Sequence, residues 1–304
     1  MLNEIIPSAL HEQRVDRVVA LIADVSRAAT ALLIKVGGVT LDGETVAAGK
    51  LKVREGQSIT VDTSLIAPKT MPKPDSSIIL EVVYDDADVI VVNKAPGIVV
   101  HPGAGNPDGT LINAALYRYP EIAQVGDPLR PGVVHRLDAG TSGLMLLARS
   151  QVAYDALVLA MSQRRVARKY QALVWGHPEV ASGVIDAPIG RDHRDPTKMA
   201  VVVDGRFART RYEVRQQFSE PMPTSIVDCQ LETGRTHQIR VHLASIGHPV
   251  VGDPTYGGAR SILSSARPLL HARELGFVHP VTAKELSFTV DMPGDMAKII
   301  GRCS

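Results

Sequence analysis

Only two of the 304 residues are cysteine, Cys229 and Cys303, and they lie far apart. Thiols this few build neither a disulfide framework nor a cysteine metal site, so a reducing, cytoplasmic setting is the simplest expectation. Apolar runs are short as well. None approaches the ~18 residues that span a bilayer. Met1–Leu10 lacks a basic-then-apolar signal pattern, so neither membrane nor export is expected. The sequence has no dinucleotide glycine fingerprint, no P-loop and no zinc ligand set. His237 and His242 stand five apart, not in the His-x-x-x-His spacing of a helical zinc site. The expectation is therefore no metal and no cofactor. Charge of one sign is scarce too: 33 Lys+Arg face 32 Asp+Glu, a net of +1. Taken whole, that speaks against a strongly basic nucleic-acid coat protein.

What is present is the composition of a soluble globular protein, 45% hydrophobic and 21% charged, long enough for one large domain and a small one. In residues 1–65, Val15, Val18, Val19 and Ile22 fall on one helical face, and Ala29, Leu32, Leu33 and Val36 repeat the spacing behind a Ser26 cap. Gly37-Gly38 ends the second helix. Val39–Leu41 then enters a turn at Asp42-Gly43, and Ser58–Val61 reads as a strand. Residues 66–78, with Pro68, Pro72 and Pro74, read as an extended linker that joins neither core. From residue 79 to 304, many strands with few helices indicate an α+β domain with a largely antiparallel mixed sheet. Strands are expected at Ile79–Tyr84, Val89–Val92, Val133–Val134, Leu144–Ala148, Tyr170–Trp175, Thr210–Val214 and Ile226–Leu231. Helices are expected at Thr110–Tyr117, Ser150–Met161 and Thr236–Ser245.

Three stretches carry candidate chemistry. Between two apolar runs lies a loop with Asp138, Gly140, Thr141, Ser142 and Gly143. Its carboxylate is a nucleophile, a base or simply a turn former. Tyr170 opens an apolar strand and by itself reads as a half-buried core tyrosine. Arg235 and Arg240 flank His237; an arginine so placed either clamps a carboxylate or phosphate bidentately or belongs to a solvated helix face.

Taken together these stretches resemble the A/D branch of the pseudouridine synthases that modify the large ribosomal RNA, most closely the D type. The run His135-Arg136-Leu137-Asp138-Ala139-Gly140-Thr141-Ser142-Gly143 matches that family's aspartate motif. Asn93-Lys94-Ala95-Pro96-Gly97 resembles its first motif, with Ala95 where the family often has proline. Lys169-Tyr170 resembles the tyrosine motif. Gly234 to His242, continuing through Gly252-Asp253-Pro254-Thr255-Tyr256-Gly257, resembles the arginine motif. Leu270–Ala272 and Phe277–Pro280 resemble the C-terminal motif. The N-terminal segment is similar to an S4 RNA-binding domain through Arg14, Asp16, Ser26-Arg27, Lys35 to Val39, Gly56 and Ile59.

The resemblance implies an isomerase that converts uridine to pseudouridine in structured RNA, 23S ribosomal RNA first. Transfer RNA is the alternative substrate, and a non-catalytic ribosome-assembly factor the alternative class. Asp138 becomes the essential aspartate, Arg240 the partner that keeps it ionised and oriented, and Tyr170 the residue that stacks on the base or takes the C5 proton. Arg136 is the candidate to fill the gap left by a flipped uridine. Arg164, Arg165, Arg168, Lys169, Arg235 and His237 are candidate RNA contacts. Residues 149–242 carry 14 Lys/Arg against 10 Asp/Glu, whereas residues 66–148 carry 6 against 9 and residues 1–65 carry 7 against 8. The near-zero total thus hides a positive excess around the tyrosine and arginine motifs. With no coiled-coil seam, a monomer is expected.

Overall fold

Every residue except 26, 67–70, 104–105 and 196, and every side chain except those of residues 27 and 28, is described by the computed structural model. The expected cap Ser26 and residues 67–70 of the 66–78 stretch lie outside the described residues. The chain forms two compact units, Met1–Thr70 and Met71–Ser304.

In the first unit, the apolar stripe of α1 (Val15–Ile22) buries Val15, Val18 and Val19. The stripe of α2 (Arg27–Lys35) is rotated from the expected one. Thr30, Leu33 and Ile34 are buried, while Leu32 and Val36 are 45% and 48% exposed. Both stripes satisfy helical spacing; packing against α1 and the sheet selects the one led by Leu33 and Ile34. The sheet runs β1 (Leu2–Ile5), β4 (Ser58–Val61), β2 (Val39–Leu41), β3 (Glu44–Thr45), all antiparallel. Its edge strand β1 was not expected. Asp42 and Gly43 turn β2 into β3 with φ of 52° and 85°, the left-handed pair of a tight hairpin turn. Ile66 packs against this core, and Lys73 and Asp75 hydrogen-bond to Asn113 in the second unit. The Pro-rich stretch is therefore in contact at both ends rather than free of both cores.

The second unit is built on a nine-stranded sheet. Its order is β5 (Val82–Asp85), β6 (Val89–Lys94), β7 (Ser142–Ala148), β14 (Leu270–Val278), β8 (Ala167–Trp175), β13 (Thr224–Leu231), β12 (Arg209–Phe218) and β9 (Ser182–Asp186), with β15 (Glu285–Thr289) also pairing β14. Among the described residues only the β7–β14 pair is parallel, so the sheet is mostly antiparallel and the class is α+β. A small hairpin, β10 (Ile189–Arg191) with β11 (Met199–Val201), stands apart from it. Val133 makes only an isolated bridge to Leu147, not the expected strand, and Ile79 is exposed ahead of β5.

Strand alternation sorts the core onto two faces. Val89, Val91, Leu144 and Leu146 pack on Ala153 and Leu157 of α4 (Gln151–Ser162). Ile90, Val92, Met145 and Leu147 pack with Ile112 and Ala115 of α3 (Leu111–Arg118). The second face also takes Leu137, Tyr170 and Ala172, together with Ile239 and Leu243 of α5 (Gln238–Ser245). That single cluster joins the aspartate loop, the tyrosine strand and the arginine helix. The chain closes with α6 (Gly294–Ile300). Among the described residues, no helix is long and apolar enough to cross a membrane.

Candidate active site

Asp138 sits in the loop that feeds β7, where its carbonyl accepts from Thr141 N at 3.0 Å. The loop ends at Gly143, whose φ is +109° and whose added Cβ would lie 2.2 Å from Ala272 O. Only glycine lets β7 lie parallel beside β14 there. Three side contacts fix the loop. Gly97 N and Lys94 Nζ both donate to Ala139 O, at 2.8 and 3.1 Å. Arg267 Nη1 donates to Gly140 O at 3.0 Å, with its other nitrogens on Asp295. Lys94 is 1% exposed and spends its remaining hydrogens on Ala95 O and Ile98 O. Burial pulls its ammonium down to about 7 from 10.5.

Arg240 reaches Asp138 Oδ2 through Nη1 at 3.2 Å. Its Nε and Nη2 grip Asp253 bidentately at 2.6 and 2.8 Å. Asp253 is fully buried and accepts further from Thr255 N and Tyr256 N. Burial opposes the Arg240 charge, but the Asp253 hydrogen bonds and charge outweigh it and hold the guanidinium protonated. Arg240 also lies over the Tyr256 ring, 5.0 Å from its centroid. The Tyr256 hydroxyl is 2.8 Å from His237 Nδ1, and His237 Nε2 is 3.9 Å from Asp138 Oδ2. His237 adopts φ of 57°, which ends the loop and delays α5 to Gln238, two residues later than expected. Its burial pulls the imidazole down, so it is mainly neutral at pH 7.

Asp138, His237 and Arg240 line a cavity of about 380 Å³ with Tyr170 at its wall. Tyr170 is 5% exposed, and burial raises its hydroxyl, which stays protonated. Arg136, Arg164, Arg168 and Arg235 line the same cavity. Arg165 and Lys169 do not: both are exposed, and Lys169 pairs with Glu274 at 2.7 Å. Arg168, a candidate RNA contact, alternates with Lys169 on β8 and points inward, 7% exposed, so it does not belong to a solvated face. The solvated-face alternative for Arg240 fails equally, since it is 6% exposed. His242 faces away from the cavity, bonded to Thr210 Oγ1 and Ala187 O.

A second carboxylate at the cavity, Glu232, is held by Arg211 at 2.8 Å and Arg209 at 3.5 Å. Asp253, Tyr256, Lys94 and Arg267 were not assigned roles from the sequence. The first three stand inside the first and arginine motifs, where a carboxylate between glycine and proline was the available signal. Elsewhere Asp86, Asp88 and His279 come together, but His279 Nδ1 accepts from Val281 N and Thr282 N, which puts its proton on Nε2 facing Asp86. That arrangement staples the β5–β6 turn and leaves no imidazole lone pair for an ion.

Residues 88–245 match the RNA pseudouridylate synthase family. An uncharacterized RNA pseudouridine synthase of Chloroflexus aurantiacus is 47% identical over 97% of this chain and 92% of its own. The ribosomal large subunit pseudouridine synthase D of Xanthomonas campestris is 43% identical over 97% of this chain and 90% of its own. Among solved structures, the human RNA pseudouridylate synthase domain containing 1 superposes with a TM-score of 0.61 at 29% identity, covering 76% of this chain and 91% of that one.

Proposed function

The chain belongs to the RNA pseudouridylate synthase family and is an isomerase of RNA uridine; from that premise we propose that it acts on 23S ribosomal RNA, with Asp138 as the catalytic group. The observation that carries this reading is the Asp138 carboxylate held against Arg240 at 3.2 Å in a cavity walled by Tyr170. The names of the synthase D relatives support the choice of RNA.

The reaction breaks the N1–C1′ bond, turns the uracil and joins C5 to C1′; N1 gains a proton and C5 loses one. It is intramolecular and involves no redox change. Asp138 acts on the nucleoside as nucleophile or base, by attack on C1′, addition to the ring or removal of a ribose proton. Arg240, itself fixed by Asp253, orients that carboxylate and balances its charge, which an enclosed site demands. Tyr170 stacks on the uracil or takes the C5 proton, and in the second role its resting phenol first gives its own proton to the uracil N1. A stacked uridine is out of reach, so the base is flipped, at a cost of about a few kcal/mol. Arg136, exposed two residues before Asp138, fills the vacated stack. A hydrolase using two carboxylates is disfavoured because Glu232 is neutralised by its arginines.

The N-terminal unit serves as an S4-like RNA-binding module. Arg14 and Lys52 are paired with Asp16 and Glu12, so its contribution is modest and salt-dependent. Mapping pseudouridines in ribosomal and transfer RNA with and without this protein tests the assignment. Loss of defined 23S sites in its absence supports it; loss confined to transfer RNA rejects the substrate.

A further inference from the structure

Arg168 is a cation without an anion. It lies two residues before Tyr170 on β8, so both side chains leave the strand on the same face and line the cavity. Its Nε is enclosed with no hydrogen-bond partner, and among the described residues the side chain makes no ion pair. Every carboxylate at the cavity is already taken: Asp138 by Arg240, Glu232 by Arg209 and Arg211. The neighbouring His135 accepts from Leu146 N at Nε2, which leaves its proton on Nδ1, and that nitrogen too is enclosed without an acceptor. Beside the guanidinium the wall is bare backbone, since a Cβ on Gly234 would come 3.0 Å from Arg168 Nη1. Buried charges are normally paired, and an arginine fork matches phosphate oxygens.

We propose that Arg168 binds a phosphodiester of the substrate RNA next to the flipped uridine, inside the cavity rather than on the surface. The phosphate supplies the anion that the free protein lacks, and Gly234 leaves the room for it. Arg136 and Arg235, also without acid partners among the described residues, extend the same anionic path at the mouth. The inference rests on the RNA-isomerase reading, but its test stands apart from that reading.

The test compares the wild-type protein with Arg168→Gln and Arg168→Lys on a 23S RNA transcript that carries single methylphosphonates from two nucleotides before to two after the target uridine. For the wild-type protein, one neutral linkage should weaken binding by about ten- to hundredfold. Arg168→Gln should weaken binding to the unmodified RNA equally, and that linkage should then add nothing, while the others keep their effects. Arg168→Lys, which retains the charge, should lie between and covers the case in which the glutamine variant does not fold. If every linkage keeps its full effect in both variants, the proposal is overturned. Wild-type turnover of the unmodified transcript, measured alongside, reports on the isomerase reading by itself.

Discussion

Arg240 meets Asp138 through one nitrogen because Asp253 holds the other two: Nη1 stands 3.2 Å from Asp138, and Nε and Nη2 are 2.6 and 2.8 Å from the buried Asp253. The arginine is thus a fixed positive group before substrate arrives, the preorganisation that makes charge stabilisation effective. Its anchor is a carboxylate that never touches the cavity.

Asp253→Asn should therefore impair catalysis without removing any group that faces the substrate. Breaking a buried ion pair costs about 3–5 kcal/mol, so the melting temperature should fall along with kcat, while KM changes less. Thermal unfolding and steady-state kinetics on the same preparation check this. A variant with parent kcat would show that Arg240 holds its place without Asp253.

Lys94 gives a pH signature of opposite signs. With the ammonium pulled to about 7 from 10.5, the unfolded chain binds the extra proton between those values. Stability from this group then rises with pH across that window, by at most about 1.4 kcal/mol per pH unit. Turnover moves the other way, because a neutral amine has two hydrogens for three carbonyls and releases part of the Asp138 loop. Melting of wild type and Lys94→Met between pH 6 and 9, beside wild-type kcat, measures both. The stability advantage over Lys94→Met should grow above pH 7 as kcat declines. An advantage that shrinks in that range contradicts the assignment.

The ring and hydroxyl of Tyr170 separate in Tyr170→Phe. The ring continues to stack, so RNA affinity should hold. Turnover should drop by about a hundredfold or more, the usual contribution of a positioned proton-transfer group. Filter binding and single-turnover rates decide it; unchanged turnover assigns Tyr170 to stacking alone.

Removal of residues 1–70 should raise the Kd for ribosomal RNA while leaving the single-turnover rate at saturation nearly intact. Equal affinity and an unchanged set of modified sites would mean that the N-terminal unit is not an RNA anchor.

Much of this site was readable in the sequence because its loop has a distinctive grammar. Asp138, Gly143 and the apolar runs on either side place a carboxylate at the mouth of a buried strand. The core of α1 and the antiparallel character of the main sheet were readable for the same reason, local periodicity. What local pattern misses is non-local. In α5, Gln238, Arg240 and His242 look like a wet helix face, yet all three are buried, because Thr210, Thr233, Ala187 O and Asp253 satisfy them. Arg168 and Lys169 are equivalent in composition, and only the strand register sends one inward. Likewise, β1 is an edge strand whose partner β4 lies far away in the chain. The choice of buried face in α2 was settled by its neighbours rather than its own spacing.

The central claim is that Asp138 performs the isomerisation. It is tested most directly by single-turnover conversion of 23S ribosomal RNA, scored as pseudouridine per target site, for wild type and Asp138→Asn with RNA affinity measured in parallel. The substituted amide is nearly isosteric and should fold and bind RNA close to wild type, with pseudouridine formation undetectable. Conversion by Asp138→Asn at a rate near the parent's would contradict the account.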